Sequence, residues 1–212
     1  MPIIGVTGSF GSGKSVVAGM FMQHGAAVFD ADKAVHGLMA GKGAAVSAVR
    51  RQFGCGVVNA QGVDRAKLAE LVFTDDRKLK QLMAIIHPLV RRQAEKFIRT
   101  NARRPLLVLD VPLLIESGWL DLVDVVCVVR ARREQQLLRV NRRSGIGRRA
   151  AVQRIRSQMP LKEKLKYADL TIDNTNDLAA TDQQVRKIIE NIKREERQRK
   201  VLIKQRPNRR EV

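Results

Sequence analysis

Eight consecutive residues near the start of the chain decide its fold: Gly8-Ser9-Phe10-Gly11-Ser12-Gly13-Lys14-Ser15. They fit the pattern G-x-x-x-x-G-K-[ST], in which backbone N–H groups cradle phosphate oxygens. The apolar run Ile3–Thr7 precedes this phosphate loop and a helical pattern over Val16–His24 follows it, which is the order that the pattern requires. We expect Lys14 to reach the outer phosphates and the Ser15 hydroxyl to bind Mg²⁺. The sequence therefore predicts an ATP or GTP site, and a Gly-rich turn without a ligand is the alternative.

The rest of the chain alternates strand patterns with longer helical patterns. The predicted strands are Ile3–Thr7, Ala27–Asp30, Leu106–Asp110, Val123–Val129 and Leu170–Asp173. Several of these runs are apolar throughout, as is typical of strands that are covered on both faces. The alternation predicts an α/β protein with a mainly parallel sheet.

The long stretch between the second and third strands is too long for one crossover helix. It contains three helical patterns: Asp64–Phe73, Arg77–Ile86 and Pro88–Arg103. Pro88 is expected at the first position of its helix, where a missing N–H does little harm. These patterns predict an inserted helical lobe at about residues 60–104.

A basic segment follows the fourth strand, and a second basic segment ends the chain. Arg130–Arg149 predicts two helices with a flexible break at residues 144–147. After Asn174 a charged helix carries apolar residues at Val185, Ile188, Ile189 and Ile192. We therefore expect a catalytic domain over residues 1–185 and a basic helix and tail over residues 186–212, frayed at its end.

Charge and composition exclude several classes of protein. The 212 residues include 40 Lys and Arg against 21 Asp and Glu, a net charge of +19, which favours anionic partners. A hydrophobic content of 44% excludes a wholly disordered chain. Only 4% of the residues are aromatic, which disfavours single-stranded nucleic acid as the partner because such sites stack bases on rings.

The cysteines and the apolar runs indicate in which cellular compartment the protein is expected. Cys55 and Cys127 lie far apart and match no metal-binding spacing, and Cys127 sits in an apolar run where a buried, reduced thiol is expected. The first residues do not resemble a signal peptide, and no run approaches the length of a membrane span. We expect a soluble cytoplasmic protein with no membrane contact.

Three aspartates stand at the ends of predicted strands. Asp30 and Asp32 follow the second strand, and ligands in parallel sheets bind beyond such ends. One carboxylate could accept a proton from a hydroxyl nucleophile and the other could hold metal-bound water, although either could simply cap the next helix. Asp110 ends the third strand and is a candidate Mg²⁺ carboxylate, or an ordinary strand end. The guanine-recognition pattern Asn-Lys-x-Asp is absent, which disfavours a switch GTPase.

Several further motifs carry a resemblance to a known family. They are Gly5-Val6-Thr7-Gly8, Phe29-Asp30-Ala31-Asp32, Phe53-Gly54 through Gly62, Asp64-Arg65, Leu68-Ala69 and Val72-Phe73, Ile86-His87-Pro88, Asp110-Val111-Pro112-Leu113-Leu114-Ile115-Glu116 and Gln158…Ala168-Asp169…Asn174. Over about residues 3–175 the chain resembles the dephospho-coenzyme A kinase family. It departs from the family at Ser9-Phe10, usually Gly-Ile, and at Ile115, usually Phe.

The resemblance implies a P-loop NTPase three-layer fold with a parallel sheet, an inserted substrate lobe and a lid at about residues 131–150. It also implies transfer of the ATP γ-phosphoryl group to the ribose 3′-hydroxyl of dephospho-CoA, and we expect the enzyme to be a monomer. Asp32 matches the family's proposed general base, and by the same resemblance Thr7 is expected beside the loop, near the reacting phosphate. The acceptor side is matched by His87, Pro112, Leu113, Leu114 and Glu116, and the lid arginines by Arg139 and Arg143.

Some of these residues also have a purely structural interpretation. Arg139 and Arg143 are four apart and share a helix face, where they could clamp phosphates or belong to a solvated basic surface. His87 could be a packed or capping residue, and Glu116 could orient substrate or cap a helix over Ser117–Leu122.

Two other functions compete with the main interpretation. One is a kinase of the same fold that acts on another nucleoside or nucleotide. The other is a nucleic-acid-binding ATPase, which is suggested by the charge and disfavoured by the few aromatic residues. Residues 186–212 hold eleven basic and four acidic residues, a net +7, which leaves +12 on the preceding chain, partly in the predicted lid.

Overall fold

The computed structural model describes residues 1–144 and 147–204, with side chains for all of these except residues 143–144 and 196–204. By its internal contacts the chain forms two compact units, residues 1–28 with 103–212, and residues 29–102.

The strands and helices have the following bounds. The strands are β1 (Ile3–Gly8), β2 (Ala27–Asp30), β3 (Val58–Asn59), β4 (Gly62–Val63), β5 (Leu107–Asp110), β6 (Val125–Arg130) and β7 (Leu170–Asp173). The helices are α1 (Lys14–Gln23), α2 (Ala31–Met39), α3 (Val46–Phe53), α4 (Arg65–Val72), α5 (Asp76–Thr100), α6 (Arg133–Ser144), α7 (Arg148–Arg156), α8 (Leu161–Leu165) and α9 (Leu178–Lys204). All five predicted strands are present, with bounds within two residues of those expected.

The main sheet has five strands in the order β2-β5-β1-β6-β7. The registered pairs β1 with β5, β1 with β6, and β6 with β7 are all parallel. The predicted parallel α/β sheet is therefore confirmed. Because β1 lies in its middle, the phosphate loop leaves the sheet between two neighbouring strand ends, where ligands of parallel sheets bind.

Alternate residues of β1 face opposite sides of the sheet in the first unit. Ile4 and Val6 enter a buried cluster on one face, with contributions from β5, β6, β7, α1 and α9. From α9 the cluster takes the predicted apolar residues Val185, Ile188, Ile189 and Ile192. Thr7 alternates with these residues, so its side chain points to the opposite face, as would a side chain at position 5.

The second unit consists mainly of helices α2 to α5 and the antiparallel pair β3–β4. Helix α5 supplies the buried stripe Leu82, Ile86, Val90 and Ala94. The Phe97 ring of the same helix packs on Phe29, with ring centroids 5.7 Å apart. The helices predicted for the inserted lobe, α4 and α5, lie in this unit.

The prediction of two helices separated at Pro88 is wrong, because α5 runs without a break from Asp76 to Thr100. Pro88 lies inside the helix, where it cannot donate to the carbonyl of Ala84 and its ring crowds that turn. The buried residues Ile86 and Val90 flank Pro88 and keep the four-residue spacing of one continuous stripe. Burial of that stripe outweighs a local penalty of about 3 kcal/mol.

A helix was also expected at Ser117–Leu122, and this prediction is wrong. The chain forms turns there, followed by a short 3₁₀ helix at Leu120–Leu122. Gly118 has a φ of +68°, in the left-handed region that ends a helix.

The basic segments form helices as expected, within the described residues. Helices α6 and α7 flank the predicted break, and Gly145 and Ile146 lie outside the described part of the chain. Helix α9 runs across the predicted domain boundary after residue 185, and residues 205–212 lie outside the described part. The division at residue 185 stays a prediction. Among the described helices none is both long and apolar enough to span a membrane.

The two cysteines differ sharply in environment, which predicts different reactivity. Cys127 is fully buried in the cluster around β1, and burial raises the pKa of its thiol to about 12. At about pH 8 only about one in 10⁴ of such thiols would be ionised, and only the thiolate reacts. Cys55 is exposed.

We therefore expect Ellman's reagent to modify one thiol rapidly in the native protein and both in concentrated guanidinium chloride. A Cys55→Ser variant should lose the rapid phase. Two rapid thiols in the native protein would contradict the burial of Cys127.

Candidate active site

The phosphate loop ends at a helix start that carries no side-chain cap. Gly13 precedes α1, and neither a capping side chain nor an acidic residue occupies the first turn. The N–H groups at a helix start have no partners within the helix, and the helix dipole is positive there. Such a start therefore favours an anion, as the sequence pattern predicted.

Two glycines of the loop are required by its backbone. Gly11 and Gly13 have φ values of +79° and +85°, in the left-handed region. A Cβ on Gly13 would also collide with the side-chain amide of Asn174, and one on Gly11 would approach Val140 Cγ2 to 2.8 Å. The loop is therefore closely surrounded by residues far along the chain.

Asn174 holds the loop through side-chain hydrogen bonds. Its Nδ2 donates to the Ser12 carbonyl at 2.8 Å, and its Oδ1 accepts from Thr181 Oγ1 at 3.0 Å. Asn174 and Thr181 are 1% and 0% exposed. Through this buried pair the loop is hydrogen-bonded to the residue that follows β7 and to α9.

Gln158 and helices α6 and α7 contact Phe10, on another side of the loop. The Phe10 N–H donates to Gln158 Oε1 at 2.9 Å, so phosphate binding must use other amides of the loop. The Phe10 ring packs on a cluster of Leu137, Val140 and Ala151 from α6 and α7. The Arg154 guanidinium lies 5.6 Å from the centre of the same ring.

Lys14 pairs with Asp110 at the end of β5. The Lys14 Nζ and Asp110 Oδ1 form an ion pair, and their side chains are 10% and 3% exposed. Because the pair is so little exposed, water screens the attraction between its two charges only weakly. The pair places one cation and one carboxylate beside the loop, as the strand-end argument predicted.

Arg139 of α6 also reaches the loop. Its Nη1 is buried and has no hydrogen-bond partner among the described residues, and it lies 3.6 Å from where a Gly13 Cβ would stand. Ser12 Oγ is likewise buried with no partner in the described part of the chain. Buried polar atoms are almost always bonded, so these two indicate an absent polar ligand at the loop. The side chain of Arg143 lies outside the described residues.

The segment Pro112–Glu116 lies next to β1 in the same unit. Thr7 Oγ1 donates to the Pro112 carbonyl at 3.0 Å. Leu114 is fully buried, and a Cβ on Gly5 would meet its Cδ2 at 2.6 Å, so Leu114 packs against the sheet. Leu113 is half-buried. Thr7 therefore connects β1 to this segment at the edge of the loop.

Glu116 caps no helix, since its carboxylate bonds to a distant part of the chain. Its Oε1 accepts from the Met159 N–H at 3.1 Å and pairs with Lys164 Nζ at 2.9 Å. Lys164 Nζ also donates to the Pro112 carbonyl at 3.1 Å. Both ends of the segment are thus held by α8 and the residues before it.

The remaining candidate residues lie in the second unit. Asp30 caps α2, because its side chain accepts from the Lys33 N–H at 2.9 Å, while Asp32 is exposed in the first turn. His87 is half-buried in α5, and this burial lowers the pKa of its imidazole from the usual 6.5. The His87 ring is therefore neutral at physiological pH.

Sequence reasoning assigned no role to Asn174, Gln158 or Lys164. Asn174 could have been found, because it directly follows the strand β7, where the argument used for the aspartates applies equally. Lys164 could not, since the run Leu161–Leu165 has the composition of an exposed charged helix. Its partners lie 48 and 52 residues away, beyond the reach of any local pattern.

Comparison with known proteins places this chain in one family. The model of the dephospho-CoA kinase family matches residues 2–180. The dephospho-CoA kinase of Symbiobacterium thermophilum is 46% identical over 190 residues, which is 87% of this chain and 79% of that protein.

Solved structures agree with this match. A Thermus thermophilus protein of known crystal structure has 35% identity and a TM-score of 0.74, covering 90% of this chain and 97% of its own. The dephospho-CoA kinase from Campylobacter jejuni has 28% identity and a TM-score of 0.67, covering 90% and 96%. The P-loop kinase fold is thereby confirmed, and the chain belongs to the dephospho-CoA kinase family.

Proposed function

We propose that this chain transfers the γ-phosphoryl group of ATP to the ribose 3′-hydroxyl of dephospho-CoA, giving CoA and ADP. The observation that carries the proposal is the family match over residues 2–180, which spans both compact units. The first unit supplies what phosphoryl transfer needs most, which is positioned cations around a phosphate loop.

Lys14 and Arg139 bind the phosphates in this proposal. The Lys14 ammonium and the orphaned Arg139 Nη1 both lie at the loop. Charge spreads over the oxygens of the transferred group in the transition state, and fixed cations there stabilise it without reorganising. Arg143 is proposed as a second lid arginine because it is one turn from Arg139 on the same helix.

The residues beside the loop fit a Mg²⁺ ion. Ser15 is exposed in the first turn of α1, and Asp110 brings a carboxylate to the loop through its pair with Lys14. Both offer oxygen donors, which Mg²⁺ prefers, and Mg²⁺ commonly binds few protein groups together with substrate phosphates. When bound, the ion would neutralise phosphate charge; Ser15 and Asp110 would hold it, directly or through water.

Asp32 is the proposed general base. Asp30 already uses its carboxylate to cap α2, whereas Asp32 is exposed at the start of the helix. A carboxylate within hydrogen-bond reach of the acceptor hydroxyl would take its proton as the phosphoryl group is transferred. On the acceptor side we propose the neutral His87 ring and the segment Pro112–Glu116.

The test is an acceptor screen with the purified chain, ATP and Mg²⁺. ADP release, followed through pyruvate kinase and lactate dehydrogenase, should depend on dephospho-CoA. The product should gain one phosphate by mass, and a 3′-nucleotidase should remove it. Absence of ADP release with dephospho-CoA would contradict the proposal.

The two competing functions give different results in the same screen. A nucleoside or nucleotide kinase would release ADP faster with adenosine or a nucleoside monophosphate than with dephospho-CoA. A nucleic-acid-binding ATPase would be stimulated by DNA or RNA at physiological salt, where nonspecific contacts weaken. A monomeric state and a cytoplasmic location stay predictions, and the monomer can be checked by size-exclusion chromatography with light scattering.

A further inference from the structure

Lys164 is a fully buried lysine to which the proposed reaction assigns no role. Its side chain is 0% exposed and lies in α8, in the first unit. An ammonium group removed from water must be bonded to compensate for lost hydration. The bonds are those to Glu116 Oε1 and to the Pro112 carbonyl, at 2.9 and 3.1 Å.

These two partners are the two ends of one segment. Residues 112–118 form turns rather than a helix or strand, so no regular backbone ladder fixes their conformation. The Pro112 carbonyl also accepts from Thr7 Oγ1, beside the phosphate loop. Lys164 therefore bonds to both ends of a turn whose first residue is already bonded to β1.

The residues that lead into α8 contact the loop as well. Gln158 accepts from the Phe10 N–H, and Met159 donates from its N–H to Glu116. The stretch Gln158–Lys164 thus bonds to the phosphate loop at one end and to the segment Pro112–Glu116 at the other. It joins the part of the site that binds ATP to the part that the family resemblance places at the acceptor.

We propose that Lys164 is a positioning residue that sets the conformation of Pro112–Glu116 and thereby the binding of the acceptor. A buried ion pair adds little net stability compared with apolar residues of the same volume, because desolvation offsets its attraction. The lysine instead fixes positions: its one ammonium group bonds to a carbonyl and to a carboxylate that lie four residues apart. The effect on the acceptor rests on the proposed function, and the effect on the segment does not.

The first test is hydrogen exchange on Lys164→Met, which keeps a long apolar side chain and removes the ammonium. The Ser117, Gly118 and Trp119 N–H groups donate to carbonyls within the segment. We expect these amides to exchange about tenfold faster in the variant, because local opening becomes easier.

Lys166→Met is the matched control on the same stretch of chain. Lys166 is 64% exposed and pairs only with Glu163 in the described contacts, at 2.6 Å. It should leave exchange of these amides unchanged. Equal exchange in wild type and Lys164→Met would overturn the proposal, whatever the acceptor is.

The second test separates the two substrates. We expect Lys164→Met to raise the KM for dephospho-CoA about tenfold or more and to change the KM for ATP by less than about twofold. A general loss of structure would raise both constants or lower only the amount of active enzyme. An unchanged KM for dephospho-CoA in an active, folded variant would overturn the proposal.

Glu116→Gln provides a milder change that keeps the side-chain shape and a carbonyl oxygen. It should raise the KM for dephospho-CoA in the same direction, and Lys164→Met with Glu116→Gln should be no worse than Lys164→Met alone. Additive effects would show that the lysine does not act through Glu116. Inactivity of the wild type on dephospho-CoA would contradict the proposed function, while the exchange data would still decide whether Lys164 holds the segment.

Discussion

Lys14→Ala should lower turnover about 10³-fold and weaken ATP binding, since a fixed cation at the transferred group is among the largest single contributions to such a reaction. The Lys14 side chain is only 10% exposed, so little water is available to take the place of its ammonium group. Turnover should be measured by coupled ADP release at saturating dephospho-CoA, and ATP binding by calorimetry.

Stability needs its own control in this experiment, because Lys14 also pairs with the buried carboxylate of Asp110. Taking the cation away from a buried carboxylate destabilises a fold by about 3–5 kcal/mol. The double variant Lys14→Ala with Asp110→Asn removes that charge and should regain most of the lost melting temperature. Its turnover should stay as low as that of Lys14→Ala.

Two results would contradict this account of Lys14. Full activity of Lys14→Ala would show that the loop does not bind the transferred phosphate. Recovery of turnover in the double variant would show that the single variant had lost only its stability.

Asp32→Asn should lower turnover about 10²–10⁴-fold, the range typical of losing a general base. The dissociation constant for ATP should stay within about twofold of wild type, because only an interaction made in the transition state is removed. Asp32 is exposed, so the melting temperature should hardly change. The measurements are single-turnover kinetics, ATP calorimetry and thermal unfolding.

Two other aspartates of the second unit make this experiment selective. Asp75→Asn changes the cap of α5, and asparagine caps a helix as well as aspartate does, so this control should keep wild-type turnover. Asp30→Asn likewise keeps the cap of α2 and tests the second carboxylate of the motif. A large loss in Asp30→Asn with normal turnover in Asp32→Asn would assign the base to Asp30.

The strands could be predicted because their determinants are local. Ile3–Gly8 and Val125–Arg130 are apolar, β-branched runs that end in a loop or a charge, and both lie where expected. The phosphate loop could be predicted as well, because its backbone has positive φ values at two positions and these favour glycine, which the sequence pattern contains. The pattern that identifies this loop lies within eight consecutive residues, although distant residues such as Asn174 and Gln158 hold the loop in place.

The failures have a common physical cause, which is competition from distant parts of the chain. Proline disfavours a helix interior locally, yet Pro88 lies in α5 because buried residues on both sides hold one continuous helix. Glu116 was expected to cap a following helix or to orient substrate; no helix follows it, and its carboxylate bonds to Met159 and Lys164, while contact with substrate stays a prediction. Neither outcome can be found in a window of neighbouring residues, because each depends on tertiary packing.

The residues beside the phosphate loop could be predicted from the sequence more fully than the contacts that hold the loop in place. Lys14, Asp110 and Arg139 were identified from the loop pattern, a strand end and the family resemblance, and the structure brings all three to the loop. Asn174 and Gln158 were noted only as motif residues of that resemblance, and their bonds to the loop were not predicted. Those bonds are made to the Ser12 carbonyl and the Phe10 N–H, backbone groups that any residue could offer there.

The packing of Phe10 has a consequence for how sequences of this kind can change over evolution. A residue of the phosphate loop shares one filled volume with Val140 and Ala151, although more than a hundred positions separate them in the chain. A smaller side chain at position 10 would leave a void unless a residue of α6 or α7 became larger, and a larger one would require a residue of these helices to become smaller. Substitutions at position 10 are therefore expected to occur together with compensating substitutions in α6 and α7.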